Sequence, residues 1–202
     1  MGMKKYIVIP ILPMLFQTVI NAQKLAVLGV KIGYVQSQLI GDAQKEIGGE
    51  GFHGGFFSQL PLQKNMNLQT ELLYSIRGCN WYPRKERNER PTKYFDILYY
   101  LEIPVLFQYH HKSFFIECGP GMAFLLREFR YDGLHFTSSF SVPANATDFS
   151  GNVGVGYQSD KRFSCALRYV NSIVPIRKQP TRQYNSTLLF VIGYKMIENR
   201  MR

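Results

Sequence analysis

From about Leu25 to Met196 the chain reads as eight segments in which apolar residues recur at every second position. Side chains of a β-strand point alternately to opposite faces, so a period of two predicts strands with one apolar and one polar face. The connections alternate long, short, long, short. Together these features predict an all-β fold, an eight-stranded antiparallel up-and-down transmembrane β-barrel of the outer-membrane kind.

The third segment shows the pattern most plainly. Leu68, Thr70, Leu72, Tyr74 and Ile76 share one face, while Asn67, Gln69, Glu71, Ser75 and Arg77 share the other, with Leu73 as the apolar exception. In the first segment, Leu25 to Val35, Ala26, Leu28, Val30, Ile32 and Tyr34 oppose Gly29, Lys31 and Gly33. The remaining strands are expected near 51–60, 94–109, 113–126, 148–158, 162–171 and 184–194. Pro104 lacks an amide donor and is expected to mark a bulge in the fourth strand.

Alternation alone fits a soluble, lipocalin-like barrel as well. Volume decides between them. An eight-stranded barrel has room inside for little more than its own side chains. The apolar faces carry Phe, Tyr, Leu and Ile on all eight strands, whereas the opposite faces carry Gly, Ser, Ala and Asn with a few charges. The bulky face is therefore assigned to lipid and the small, polar face to the lumen. A closed barrel also pairs every backbone polar group, as a lipid environment demands.

Short turns of such barrels face the periplasm and long loops the exterior. Turns near 61–65, 110–112 and 158–161 are thus expected inside, and loops near 36–50, 79–93, 127–147 and 172–182 outside. Tyr34, Tyr74, Tyr109, Tyr157, Tyr169 and Tyr194 are expected near strand ends as interfacial girdles.

The N-terminus adds a location. Lys4 and Lys5 precede an apolar stretch, Tyr6 to Phe16, and Ala22 offers a small residue for cleavage before Gln23. Residues 1–22 are predicted to be a cleaved secretory signal, and 23–202 a single outer-membrane barrel domain of a Gram-negative cell envelope. No segment approaches the ~18 consecutive apolar residues of a membrane-crossing helix. The formal net charge is +10, but the excess falls in predicted loops and no nucleic-acid motif accompanies it, so nucleic acid is not an expected partner. The cysteines, Cys79, Cys118 and Cys165, are three and widely spaced, which is neither a disulfide framework nor a metal pattern. No cofactor is expected.

The run Tyr99-Tyr100-Leu101-Glu102-Ile103-Pro104-Val105-Leu106 resembles the hallmark strand of the PorT-like outer-membrane β-barrel family of Bacteroidota. Gly29 to Gly33, Gly119-Pro120-Gly121 and the closing Gly193-Tyr194-Lys195-Met196 are similar to other family features, with Met196 where an aromatic is usual. The chain then continues through Ile197 to Arg202. The resemblance covers nearly the whole mature chain. It implies a barrel in the outer membrane and carries no catalytic residues.

Among candidate sites, Lys31, Glu71, Arg77, Glu102, Glu117 and Arg168 all fall on lumen faces. Buried charge is costly unless paired, so a structural ion-pair network is expected. A proton or ion path through the same residues is the competing functional reading. His135 with Ser138 and Ser139, in a predicted external loop, is the best enzyme-like constellation, but nothing in the spacing supplies the geometry of a nucleophile, base and orienting group. His110 and His111 are read as solvated turn residues. The basic loops 84–93 and 177–182 could grip lipopolysaccharide or an envelope protein, although Glu86 and Glu89 interleave the first. The function expected is a non-enzymatic barrel, a scaffold or interaction protein working through its external loops with outer-membrane lipid and lipopolysaccharide around it. A subunit of a secretion or envelope-assembly machine and a lipid-modifying enzyme are the alternatives.

Overall fold

The structure is a computed structural model, and it describes residues 27–41, 46–81, 94–131, 136–137, 145–159, 162–175 and 182–198. Every element among them is a strand: β1 (Val27–Gly41), β2 (Glu46–Gln63), β3 (Met66–Trp81), β4 (Tyr94–His111), β5 (Phe114–Tyr131), the two-residue β6 (Phe136–Thr137), β7 (Thr147–Gln158), β8 (Phe163–Ser172) and β9 (Gln183–Glu198). Among the described residues no helix is long and apolar enough to cross a membrane.

All pairings are antiparallel. The order runs β4-β3-β2-β1-β9-β8-β7-β5, and β5 pairs back onto β4. Eight strands thus close a barrel with no free edge; β6 adds only a short flap against Arg130 and Tyr131 at the end of β5. Closure satisfies the backbone within the sheet, which lipid requires.

The two faces segregate by parity. Ile32, Phe52, Phe56, Phe114, Ile116, Val153, Val155 and Phe190 stand on the outer wall, each at least half exposed. Such an apolar exterior is stable only in contact with hydrocarbon. Cys118 is exposed on the same wall and Cys165 is half-buried there, and both are free thiols.

Four expectations need correction. The lumen is not lined by small residues alone: Val35, Phe115, Val170, Leu189 and Val191 form one buried apolar layer, and Leu98, Tyr100 and Ala123 form another. Glycines make the space. Phe57, His53 and Phe115 each lie over the glycine directly opposite in the neighbouring strand, Gly29, Gly33 and Gly156, where a Cβ would sit about 2.3–2.4 Å from the ring.

The strands also outrun their expected ends on the long-loop side. Cys79 is in β3, paired with Asp96, and much of 36–50 and 127–131 is sheet. Tyr34 and Tyr74 consequently lie in mid-strand. Beyond Tyr34 the outward positions turn polar, at the exposed Gln36 and Gln38. The wall therefore continues past the apolar band, and a polar outward face resembles a loop when only the alternation of apolar residues is followed.

Pro104 causes no bulge. Pairing with β3 passes from Thr70–Val105 to Leu73–Glu102 in unchanged register. A missing N–H can drop a rung without adding a residue. The register shift of β4 against β5 lies instead at Tyr99/Tyr100.

His110 and His111 are not turn residues. They pair with Phe115 and Phe114 at the end of the β4–β5 hairpin, whose turn is Lys112-Ser113. Lys112 takes a left-handed φ of 55° there. His110 is half-buried, with its ring stacked on Phe115 at 5.1 Å between centroids.

Candidate functional site

The charged residues of the barrel converge in the lumen. Lys31 on β1 stands between two glycines in register, Gly55 on β2 and Gly193 on β9, so its long chain has room to cross the interior. Its Nζ reaches Glu71 Oε1 on β3 at 2.5 Å and stands 5.2 Å from the centre of the Phe57 ring. Arg168 on β8 donates from Nη1 to Glu71 Oε2 at 2.8 Å and from Nη2 to Oε1 at 2.9 Å, a fork-to-fork contact. Its Nε donates to Glu117 Oε1 on β5 at 2.7 Å.

Gly154 explains the last contact. In register it pairs with Glu117 on one side and Arg168 on the other, and the ion pair spans the space a side chain would fill. A Cβ at Gly154 would lie 3.0 Å from Glu117 Oε1.

Below this cluster, toward the short turns, amides continue the network. Gln69 donates to Glu71 at 2.6 Å, Gln108 donates to Glu117 at 2.9 Å, and Gln59 donates to Gln108 at 2.6 Å. Glu71 thus accepts from three side chains with no measurable side-chain exposure. Two acids face two bases, so the cluster is neutral, the condition under which buried charge is tolerable.

Arg77 and Glu102 form a second pair, Nη2 to Oε1 at 2.7 Å, with the guanidinium 5.1 Å from the Tyr100 ring centre. The six sequence-assigned charges therefore fall into a four-residue cluster and a separate pair.

Nearby, Asp148 is buried and accepts from Ser172 at 2.8 Å and Asn185 at 3.0 Å. Asp148 was missed in the sequence, although its parity with Ser150 and Asn152 already put it on the lumen face. The lumen position of His53, one of the four histidines weighed for an enzyme reading, was likewise not read from the sequence, although its parity with Gly51 and Gly55 was visible. This histidine is buried, and neither ring nitrogen has a hydrogen-bond partner among the described residues.

The lumen leaves little free space. Cavities beside the four-residue cluster and beside the Arg77–Glu102 pair measure about 10 Å³ each. That is near the room one water needs.

His135, Ser138 and Ser139 lie outside the described residues, as do the basic residues of 84–93 and most of 177–182. Among the described residues no group of three or more His, Cys, Asp or Glu is placed to hold a metal ion.

A closed antiparallel eight-stranded barrel with an apolar outer wall and a polar, filled lumen defines an outer-membrane β-barrel protein. The profile of the outer membrane protein beta-barrel domain family matches residues 21–177, and the chain belongs to that family. Among solved structures it is similar to Neisserial surface protein A, with a TM-score of 0.57 and 12% identity over 85% of this chain and 99% of that one. It is also similar to Ail, the attachment invasion locus protein of Yersinia pestis, in complex with the heparin analogue sucrose octasulfate, with a TM-score of 0.51 and 13% identity over the same shares. At such identities the likeness is one of fold. A comparison with curated proteins gives no match. Family and fold together support an outer-membrane location.

Proposed function

We propose that this protein is a non-enzymatic outer-membrane barrel whose working surface is its external loops. The observation that carries this is the filled lumen: Glu71, Glu117, Lys31 and Arg168 cross the interior, with room beside them for about one water. Among the described residues, this filling leaves no solute-sized gap beside the four-residue cluster. What remains is the end bearing the longer connections, while the other end carries tight turns such as Lys64-Asn65 and Lys112-Ser113. Short turns belong to the periplasm and long loops to the exterior.

Residues 84–93 and 177–182 are rich in Arg and Lys, which suits an anionic partner at the cell surface, lipopolysaccharide or a sulfated or acidic polymer. The complex of Ail with sucrose octasulfate is a precedent for polyanion binding on a similar fold.

The PorT-like assignment is the finer family reading. Its motif residues serve the wall here: Glu102 holds Arg77, Pro104 is buried, and Gly119 lies so close to Val105 O that a Cβ would come within 2.0 Å. These are barrel-building roles, which favours a scaffold over a catalyst. Residues 1–22 are proposed to be removed on export.

The test replaces Arg84, Lys85, Arg87, Arg90 and Lys93 with Gln and measures retention of whole cells or refolded protein on immobilised sulfated polysaccharide across a salt series. The expected result is salt-sensitive retention that the replacement reduces at least tenfold. Equal retention of both proteins would overturn the assignment of the loops as the working surface.

A further inference from the structure

The outer wall is not uniformly convex. Between β4, β5, β7, β8 and β9, at the short-turn end, it holds an open apolar hollow of about 620 Å³. Sites for small organic ligands run from roughly 300 to 1,000 Å³. Phe114, Ile116, Val155, Cys165, Leu167 and Phe190 line it. Val155 and Cys165 are small beside Phe114 and Tyr157, which stand edge to face at 5.4 Å between ring centres. The sheet is thin behind them, because Gly156 and Ala166 let the hollow reach the lumen residue Phe115.

Two cations, Lys112 and Arg162, stand in the turns beside the hollow. His111 lines the hollow and leads into Lys112, and Arg162, whose Nη1 lies 3.5 Å from Met196 O on β9, precedes β8; all three are exposed. The two turns are adjacent, because Gln158 N donates to Ser113 O at 2.7 Å.

We propose that this is a binding site for an anionic phospholipid of the inner leaflet, its acyl chain in the hollow and its phosphate at Lys112 and Arg162. An apolar hollow on a membrane-facing wall with cations at headgroup level fits both halves of such a molecule. A protein segment would satisfy the hollow without needing the cations. The proposal rests on the orientation given under Proposed function, with the short turns in the periplasm.

The test refolds the protein into nanodiscs of equal phosphatidylglycerol and phosphatidylethanolamine, and identifies co-released lipid by native mass spectrometry. The wild type is expected to retain phosphatidylglycerol preferentially, with about a fivefold contribution from each cation. K112Q/R162Q should lose the preference and keep lipid bound. C165W, or V155W should C165W fail to fold, should lose bound lipid altogether. Equal retention of both lipids by the wild type, an unchanged preference in K112Q/R162Q, or unchanged lipid in the tryptophan variants would each overturn the site. Labelling of K112C in intact cells by an impermeant reagent would instead overturn the orientation, a separate failure.

Discussion

Arg168 holds both carboxylate oxygens of Glu71 across the lumen, at 2.8 and 2.9 Å, although 97 positions separate them in the chain. Neither β3 nor β8 pairs with the other, so this contact ties opposite walls of the barrel. The same guanidinium also binds Glu117, which makes it the hub of the cluster.

Removing that hub leaves two carboxylates buried with reduced compensation. Arg168→Met is expected to destabilise the folded barrel by about 3–5 kcal/mol. Urea unfolding in detergent, followed by the change in gel mobility between folded and unfolded protein, measures it. Glu71→Gln added to Arg168→Met should recover part of the loss. A loss under about 1 kcal/mol for Arg168→Met would show that the lumen is wet enough to solvate both acids.

Two glycines separate packing from mere strand propensity. A Cβ at Gly119 would meet Val105 O at 2.0 Å, whereas one at Gly151 would meet nothing within 4 Å. Gly119→Ala is expected to cost about 1–3 kcal/mol or to prevent folding. Gly151→Ala should be neutral or gain a few tenths of a kcal/mol, since it narrows the unfolded ensemble. Refolding yield into detergent micelles reports both, and equal behaviour would contradict the wall geometry.

His53 has no hydrogen-bond partner to lose among the described residues, yet its ring covers Gly33. His53→Leu keeps the volume and discards two buried polar nitrogens, so stability should stay level or rise. A loss above about 2 kcal/mol in the same urea assay would mean that the imidazole is bonded in the folded protein.

Phe52 and Phe56 are both well over half exposed on the outer wall of β2. Either one changed to Arg should cost up to about 2–4 kcal/mol in a bilayer, falling toward zero near the interface. In a soluble barrel the same change would be nearly neutral, so the comparison tests which face meets lipid.

Parity made much of this legible. Lys31, Glu71, Arg77, Glu102, Glu117 and Arg168 could be assigned to the lumen from alternation together with the bulk of the opposite face, because a closed barrel has only two faces. Their grouping was not legible. Whether Arg168 meets Glu71 or Glu102 depends on strand tilt and stagger, which are properties of the closed sheet. The upper strand ends were hidden for another reason. Gln36 and Gln38 continue β1 above the apolar band, and a polar outward position there looks the same as loop. The buried Phe57 and Phe115 were underweighted because their room comes from Gly29 and Gly156 on neighbouring strands, and those neighbours are fixed by register rather than by nearness in the chain.

The most direct test of a sealed barrel is conductance. Refolded protein, shown to be folded by its altered mobility before boiling, is incorporated into a planar lipid bilayer and recorded under applied voltage. Lys31, Glu71, Glu117 and Arg168 in contact across the lumen should leave the membrane silent, while K31A/R168A introduces a measurable leak. Steady, reproducible channel steps from the unaltered protein would contradict the account and return the lumen charges to an ion path.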